Sequence, residues 1–212
     1  DRLYRCVTSG KMRETIEIDF KEKYNLTIPC IENATSNKYS VYLSIISGEL
    51  LAALYDEYRE RLLEKNVRSF LQVKGSVNKG IRDTLREEPD MFLAYNNGIS
   101  VTAESVEIVR DNNRKPSIRK IRDMQIVNGG QTTASIFNAS KDRKFSTDLS
   151  RVFVQMKVSV ITSPDDMDEI VPRISTFANA QNKIQVADFS ANDPFHRRVE
   201  ELSRTIWAPA VG

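Results

Sequence analysis

Six consecutive residues, Asn128-Gly129-Gly130-Gln131-Thr132-Thr133, combine more ligand-facing chemistry than any other stretch of the chain. A strand-like run at 124–127 enters them, and a helical pattern with Ala134 and Phe137 leaves them. Paired glycines at a strand-to-helix turn let backbone N–H groups face a ligand, because no Cβ blocks the approach and a helix start leaves its first N–H donors without intrahelical acceptors. Gln131 adds a side chain that both donates and accepts. Asn128, Gly129, Gly130, Gln131 and Thr132 are therefore candidate contacts to a phosphate or a nucleobase edge. The plain alternative is that the glycines only make the turn while Thr132 helps to cap the helix.

Three further Asn-rich segments occur: Asn78-Lys79-Gly80, Asn96-Asn97-Gly98 and Asn179-Ala180-Gln181-Asn182. They extend the candidate set to Asn97, Gly98, Asn179, Gln181 and Asn182. Asn-Gly is also a common turn dipeptide, with glycine supplying a positive φ, and Asn after a helix is a common C-cap. Arg68 and Lys79 are the cations expected near these turns, since arginine can grip a phosphate with two parallel hydrogen bonds. The expectation is one pocket, built from neutral amides, to which all four segments contribute.

Other chemistries find less support. His196 is the single histidine, so a histidine-rich metal site is excluded by count. A Ser-His-Asp or Cys-His arrangement would have to use it, and its surroundings read as a helix surface. No metal-ligand set is assigned, although an oxygen-only Mg²⁺ site stays open. Residues 75–80 have P-loop glycine spacing, but Ile81 and Arg82 stand where Lys and Ser/Thr are required. Asp19-Phe20-Lys21 has the D-x-K look of a restriction-type nuclease; an alternating exposed strand face explains it better.

The chain has 212 residues, 31 Lys and Arg against 29 Asp and Glu, and a net charge of +2. No whole-chain electrostatic footprint for nucleic acid follows, though a local basic face is compatible with this balance. No apolar run is long enough to cross a bilayer and no signal peptide opens the sequence. The two cysteines, Cys6 and Cys30, have no metal-type spacing. A reducing, cytoplasmic location is expected, with no membrane partner and no oligomeric state specified. The absence of a starting methionine and the ending at 207–212 suggest a piece of a longer protein.

The elements that must position these residues follow from periodicity. Residues 14–21 alternate, with Ile16, Ile18 and Phe20 inward, and a run at 25–31 could pair with them as a hairpin. Residues 39–46 read as a strand. From Ser47 the period changes, and Leu50, Leu51, Leu54, Tyr55, Tyr58 and Leu62 fall on one helix face. A second helix is expected over 78–87, ended by Pro89 with a short helical turn beyond. Strands at 99–103 and 118–127, flanking a polar turn at 111–116, suggest a hairpin with a long loop. Residues 152–160 alternate most cleanly. A helix capped by Ser163 should bury Met167, Ile170, Val171, Ile174 and Phe177, with Pro172 kinking it, and a last helix covers 191–206 with Asp193 as cap. The expected class is α/β or α+β: a mixed sheet flanked by helices, with a β-rich segment at 1–46 ending a preceding domain and an α/β domain at 47–212.

Several motifs together resemble one family. The order Asn66-Val67-Arg68-Ser69-Phe70, Asn78-Lys79-Gly80-Ile81-Arg82-Asp83-Thr84-Leu85 and Asn96-Asn97-Gly98-Ile99 resembles the AIPR family of bacterial abortive-infection phage-resistance proteins. Ile126-Val127-Asn128-Gly129-Gly130-Gln131-Thr132 and Asn179-Ala180-Gln181-Asn182-Lys183-Ile184 continue the pattern, so the resemblance runs from about Leu50 to the end. It departs from the pattern at Pro172, and the chain stops before the aromatic- and arginine-rich segment expected next. A weaker similarity links Asn128-Gly-Gly-Gln131 to the Asp-Gly-Gln-x-Arg motif of ParB-like nucleotide-binding proteins, with both charged positions replaced here. The resemblance implies phage defence and carries over no catalytic residue. The resulting expectation is a domain that binds or senses nucleic acid or a nucleotide through its Asn/Gln/Gly loops. The alternative is a Mg²⁺-dependent nuclease or nucleotide hydrolase using carboxylates such as Asp19, Asp188 or Asp193.

Overall fold

A computed structural model describes residues 15–33, 38–63, 76–142, 147–162 and 167–180, together with Arg198 and Leu202. The chain divides into two compact units, 1–175 and 176–212. The first is built on one mixed sheet. Its strands are β1 (Glu17–Asp19), β2 (Ile28–Asn33), β3 (Tyr39–Ser47), β4 (Ile99–Ala103), β5 (Ser105–Arg110), β6 (Pro116–Arg122), β7 (Gln125–Asn128) and β8 (Phe153–Ile161). They run in the order β1-β6-β2-β3-β8-β4-β7, with β5 also paired to β6. Only the β4–β8 pairing is parallel among these strands. The mixed α/β class is as the periodicity indicates.

The helices are α1 (Phe20–Tyr24), α2 (Gly48–Tyr58), α3 (Ser76–Glu87), α4 (Phe92–Tyr95), α5 (Gly130–Lys141) and α6 (Met167–Ala180). Ser47 starts α2: its backbone is extended, and its Oγ accepts from the Leu50 N–H at 3.2 Å. Leu50, Leu51, Leu54, Tyr58 and Leu62 are then buried together with Tyr42 and Ile46 of β3 and Val154, Met156 and Val158 of β8. Helix α5 packs against α2 and α3 and adds Ile136 to this core. The strand at β8 and the amphipathic helix at α2 thus meet across the layer that their patterns demand.

Several expectations need correction. The strand at 14–21 stops at Asp19, because Asp19 Oδ1 accepts from the Lys21 and Glu22 N–H groups and caps α1. Phe20 is still buried, but from a helix. Strands β1 and β2 do not form a hairpin; both pair with β6. The expected strand at 118–127 is broken at Asp123, whose φ is 51° and whose N–H donates to the Ile16 carbonyl at 2.6 Å. Its first part, β6, makes the hairpin with β5, while β7 crosses to pair with β4. Helix α3 begins at Ser76, so Asn78-Lys79-Gly80 lies inside its first turns and is not a separate turn. Phe177 is 61% exposed and not part of a buried stripe; Ile170, Val171 and Ile174 are half-buried. Strand β3 pairs along its length with β8, and both belong to the unit 1–175. Among the described residues no helix is long and apolar enough to cross a membrane. The caps at Ser163 and Asp193 and the helix at 191–206 fall outside the described residues, apart from Arg198 and Leu202, which are helical.

Candidate functional site

The sheet brings two of the four Asn-rich segments together. Strand β7 runs antiparallel to β4, with Asn128 opposite Ser100, so the exit of β7 lies beside the entry of β4. Asn96-Asn97-Gly98 leads into β4, and Asn128-Gly129-Gly130-Gln131 leads out of β7 into α5. The two glycines are required there. Gly98 has φ 74°, and a Cβ on it would stand 2.2 Å from the Gln155 carbonyl oxygen of β8. Gly129 has φ 91°, and its Cβ would stand 2.7 Å from the Gly98 carbonyl oxygen and from Ile99 Cγ2. Backbone therefore packs on backbone through three layers: β8, the Gly98 turn, and the Gly129 turn.

Asn96 ties the turns to each other. Its Oδ1 accepts from the Gly98 N–H at 2.9 Å and from the Thr132 hydroxyl at 3.2 Å. Thr133 donates to the Gly129 carbonyl from both its N–H and its hydroxyl, each at 3.0 Å. Gly129 is the N-cap of α5, and no side chain caps that helix. The N–H groups of Gly130, Gln131 and Thr132 have no acceptor within the helix, so the partial positive end of α5 lies at the joined turns. Thr132 is buried, Asn128 and Gln131 are half-buried, and Asn97 is exposed.

Next to Asn96 opens a cleft of about 290 Å³, lined by Gly80, Ile81 and Thr84 of α3, by Phe92 and Tyr95 of α4, and by Asn96 itself. This places Gly80, from the third Asn-rich segment, on the same cleft. Lys79 is exposed and, one residue from Gly80, lies about 100° round the helix from it. Asn179 is within the last turn of α6 and does not follow the helix. Its side chain, and all of Arg68, Gln181 and Asn182, lie outside the described residues. Asn96, Thr84 and Tyr95 are the side chains that sequence reasoning did not single out. Asn two residues before a turn glycine is a known sign of a side chain bonding its own backbone, so Asn96 had a local signal. Thr84 and Tyr95 had none, since only the packing of α3 beside α4 makes them neighbours.

Among the described residues no charged side chain lines the cleft. Among the described residues no three His, Cys, Asp or Glu side chains gather in a way that could hold a metal ion. Asp19 belongs to the other end of the sheet, where Oδ2 faces Arg119 at 3.5 Å and Lys120 at 3.9 Å. The Glu22 N–H is the main cause that holds its carboxyl below the ordinary range; burial opposes this, and Arg119 supports it. That is a cap with counter-charges. Asp188, Asp193 and His196 lie outside the described residues.

Residues 63–208 match the family model described as AIPR protein. No curated protein and no solved structure matches the chain. The matched span contains α3, α4, α5 and both glycine turns, hence every residue placed at the joined turns and the cleft. On that match over more than half of its length, the chain belongs to the AIPR family, the abortive-infection phage-resistance proteins.

Proposed function

We propose that this domain serves phage defence as a binding or sensing module for a nucleotide or nucleic acid, with the joined turns as its polar contact surface. The observation that carries the reading is the pair of hydrogen bonds accepted by Asn96 Oδ1, which joins the Gly98 turn to the uncapped start of α5. In that arrangement the N–H groups of Gly130, Gln131 and Thr132 meet a phosphate. Asn97, Asn128 and Gln131 supply neutral donors and acceptors that suit a base or ribose. Preformed backbone donors lose little entropy on binding, which favours a site made of glycines and short amides over one made of long cations. The competing reading, a Mg²⁺-dependent nuclease or hydrolase, needs convergent carboxylates; among the described residues none lines the cleft.

A thermal-shift series with nucleotides, single-stranded DNA and duplex DNA, with and without Mg²⁺, tests the reading. A ligand at a hundred times its Kd stabilises the folded state by about 2.7 kcal/mol, a shift of several degrees. Gln131→Ala should remove most of that rise. If no nucleotide or nucleic acid raises the melting temperature, the binding reading fails.

A further inference from the structure

We infer that the open face of the sheet across β2, β3 and β8 is a docking surface for an acidic amphipathic helix of another protein. Leu43 and Ile45 of β3 share this face with Ile31 of β2 and Phe153 of β8. All four are exposed, Ile31 by 72% and Ile45 by 53%. The register makes them one patch: Ile31 stands opposite Leu43, Gln155 opposite Ile45, and Phe153 opposite Ser47. Ile45 and Phe153 are therefore diagonal neighbours. The opposite face of β3 and β8 is already filled, since Tyr42, Ile46, Val154, Met156 and Val158 belong to the core. A sheet face turned to water ordinarily carries polar side chains, and a contiguous apolar patch there marks an interaction site.

Charge and size identify the occupant. Lys157 lies in the same patch, opposite Leu43 on β3 and Ser100 on β4, and it is half-buried. Among the described residues none pairs with its ammonium. A half-buried cation beside apolar side chains gains from a carboxylate brought by the partner, because docking removes the water that otherwise solvates it. By alternation, the described residues of β2, β3, β8 and β4 that share this face include no Asp or Glu. A second copy of this chain therefore brings no counter-charge from that face. A lipid surface matches poorly as well: attachment to anionic lipid takes several cations, and these strands present Lys157 alone here. The dimensions favour a helix. Three adjacent strands span two inter-strand gaps, about 10 Å, which is the width of a helix with its side chains. The stretch of β3 from Leu43 to Ser47, the level of Phe153, covers about 13 Å, the rise of about nine helical residues. Gln155 lies between Phe153 and Lys157 on β8, and its carbonyl abuts the Gly98 turn, so the docked helix lies beside the joined turns.

Selection from a displayed library of random peptides, about four helical turns long, against the whole chain tests this. The counter-selected variant carries Leu43→Thr and Ile45→Thr, which keep β-branched side chains in the strand and remove the apolar surface. Peptides that bind the unaltered chain and not this variant should carry Leu, Ile or Phe at helical spacing, with Asp or Glu among them. The pool selected against Lys157→Glu should instead carry Lys or Arg. A selected acidic peptide should bind Lys157→Ala about 5-fold more weakly in calorimetry. An empty selection overturns the proposal, and so does an acidic pool that is the same for Lys157→Glu. A dimer in sedimentation that the double variant abolishes overturns it in favour of a second copy. Flotation with phosphatidylserine vesicles that the double variant abolishes overturns it in favour of a lipid surface. The double variant should melt within about 3 °C of the unaltered chain, as substitutions on a free surface do. A larger fall means that the chain's own residues fill the face, and also overturns the proposal.

Discussion

The two ends of the sheet hold neighbouring strands by opposite means. At the β1/β5/β6 end the fastening is a ladder of ion pairs: Lys120 with Glu17 at 3.1 Å, Arg119 with Glu107 at 3.1 Å, Arg122 with Glu104 at 3.4 Å and Arg110 with Glu32 at 2.7 Å. At the β4/β7 end, glycine backbones touch and a single asparagine oxygen joins two turns. Exposed ion pairs contribute little to stability and fill the surface with long side chains. Backbone contacts at positive φ allow no side chain at all. The difference teaches that the charged end covers its strands with long paired side chains, while the neutral end is held by close backbone contact and one shared acceptor.

The largest expected effect tests that neutral end. Gly129→Ala combines a left-handed φ with a Cβ at 2.7 Å from backbone, which nothing nearby can yield to cheaply. It should cost roughly 3 kcal/mol or more in urea unfolding. Gly80→Ala is the control on the same cleft: a Cβ there meets nothing within 4 Å and the residue is helical. It should stabilise the fold by about 0.5–1 kcal/mol. Opposite signs for these two substitutions would sharpen the contrast; equal losses would end the claim that Gly129 is special. Asn96→Ala comes next. It leaves the Gly98 N–H and the Thr132 hydroxyl without their shared acceptor, at a cost of about 1–3 kcal/mol. A loss within error of zero in the denaturation midpoint would mean that the turns hold together without it.

What the sequence made legible depended on range. Helix α2 could be read because Ser47 and the Leu50, Leu51, Leu54, Tyr58 stripe state its start and its inner face within a dozen residues. Strand β8 could be read from alternation, since one face packs on the core. The start of the chain could not: Ile16, Ile18 and Phe20 satisfy a two-residue period whether Phe20 ends a strand or opens a helix, and the deciding group is the Asp19 carboxylate. Nor could the partner of β7, which is chosen by sheet order and not by its own four residues. The candidate site divides the same way. Its glycines and asparagines announce turns locally. Their meeting required β7 beside β4, and Thr84 and Tyr95 joined only through the packing that forms the cleft.

The smallest expected effect lies at the charged end, and it is one of pH. The Asp19 carboxyl sits below its ordinary range, first because the Glu22 N–H bonds the ionised form, with Arg119, the Lys21 N–H and Lys120 adding to it against the cost of burial. Near pH 3.9, where an unfolded aspartate titrates, the folded chain therefore binds fewer protons than the unfolded one. The contribution of Asp19 to stability is complete above that pH and is lost as pH falls through the lower native value. Asp19→Asn keeps an oxygen for the cap but has nothing to titrate. Its urea midpoint should lie below that of the unaltered chain at pH 7, and the gap should narrow between pH 4 and pH 2. A gap of constant width over that range would mean that the carboxylate charge is not what fastens β1 and α1 to β6. The ion-pair ladder would then be a solvated surface, and the contrast between the two ends would reduce to glycine packing alone.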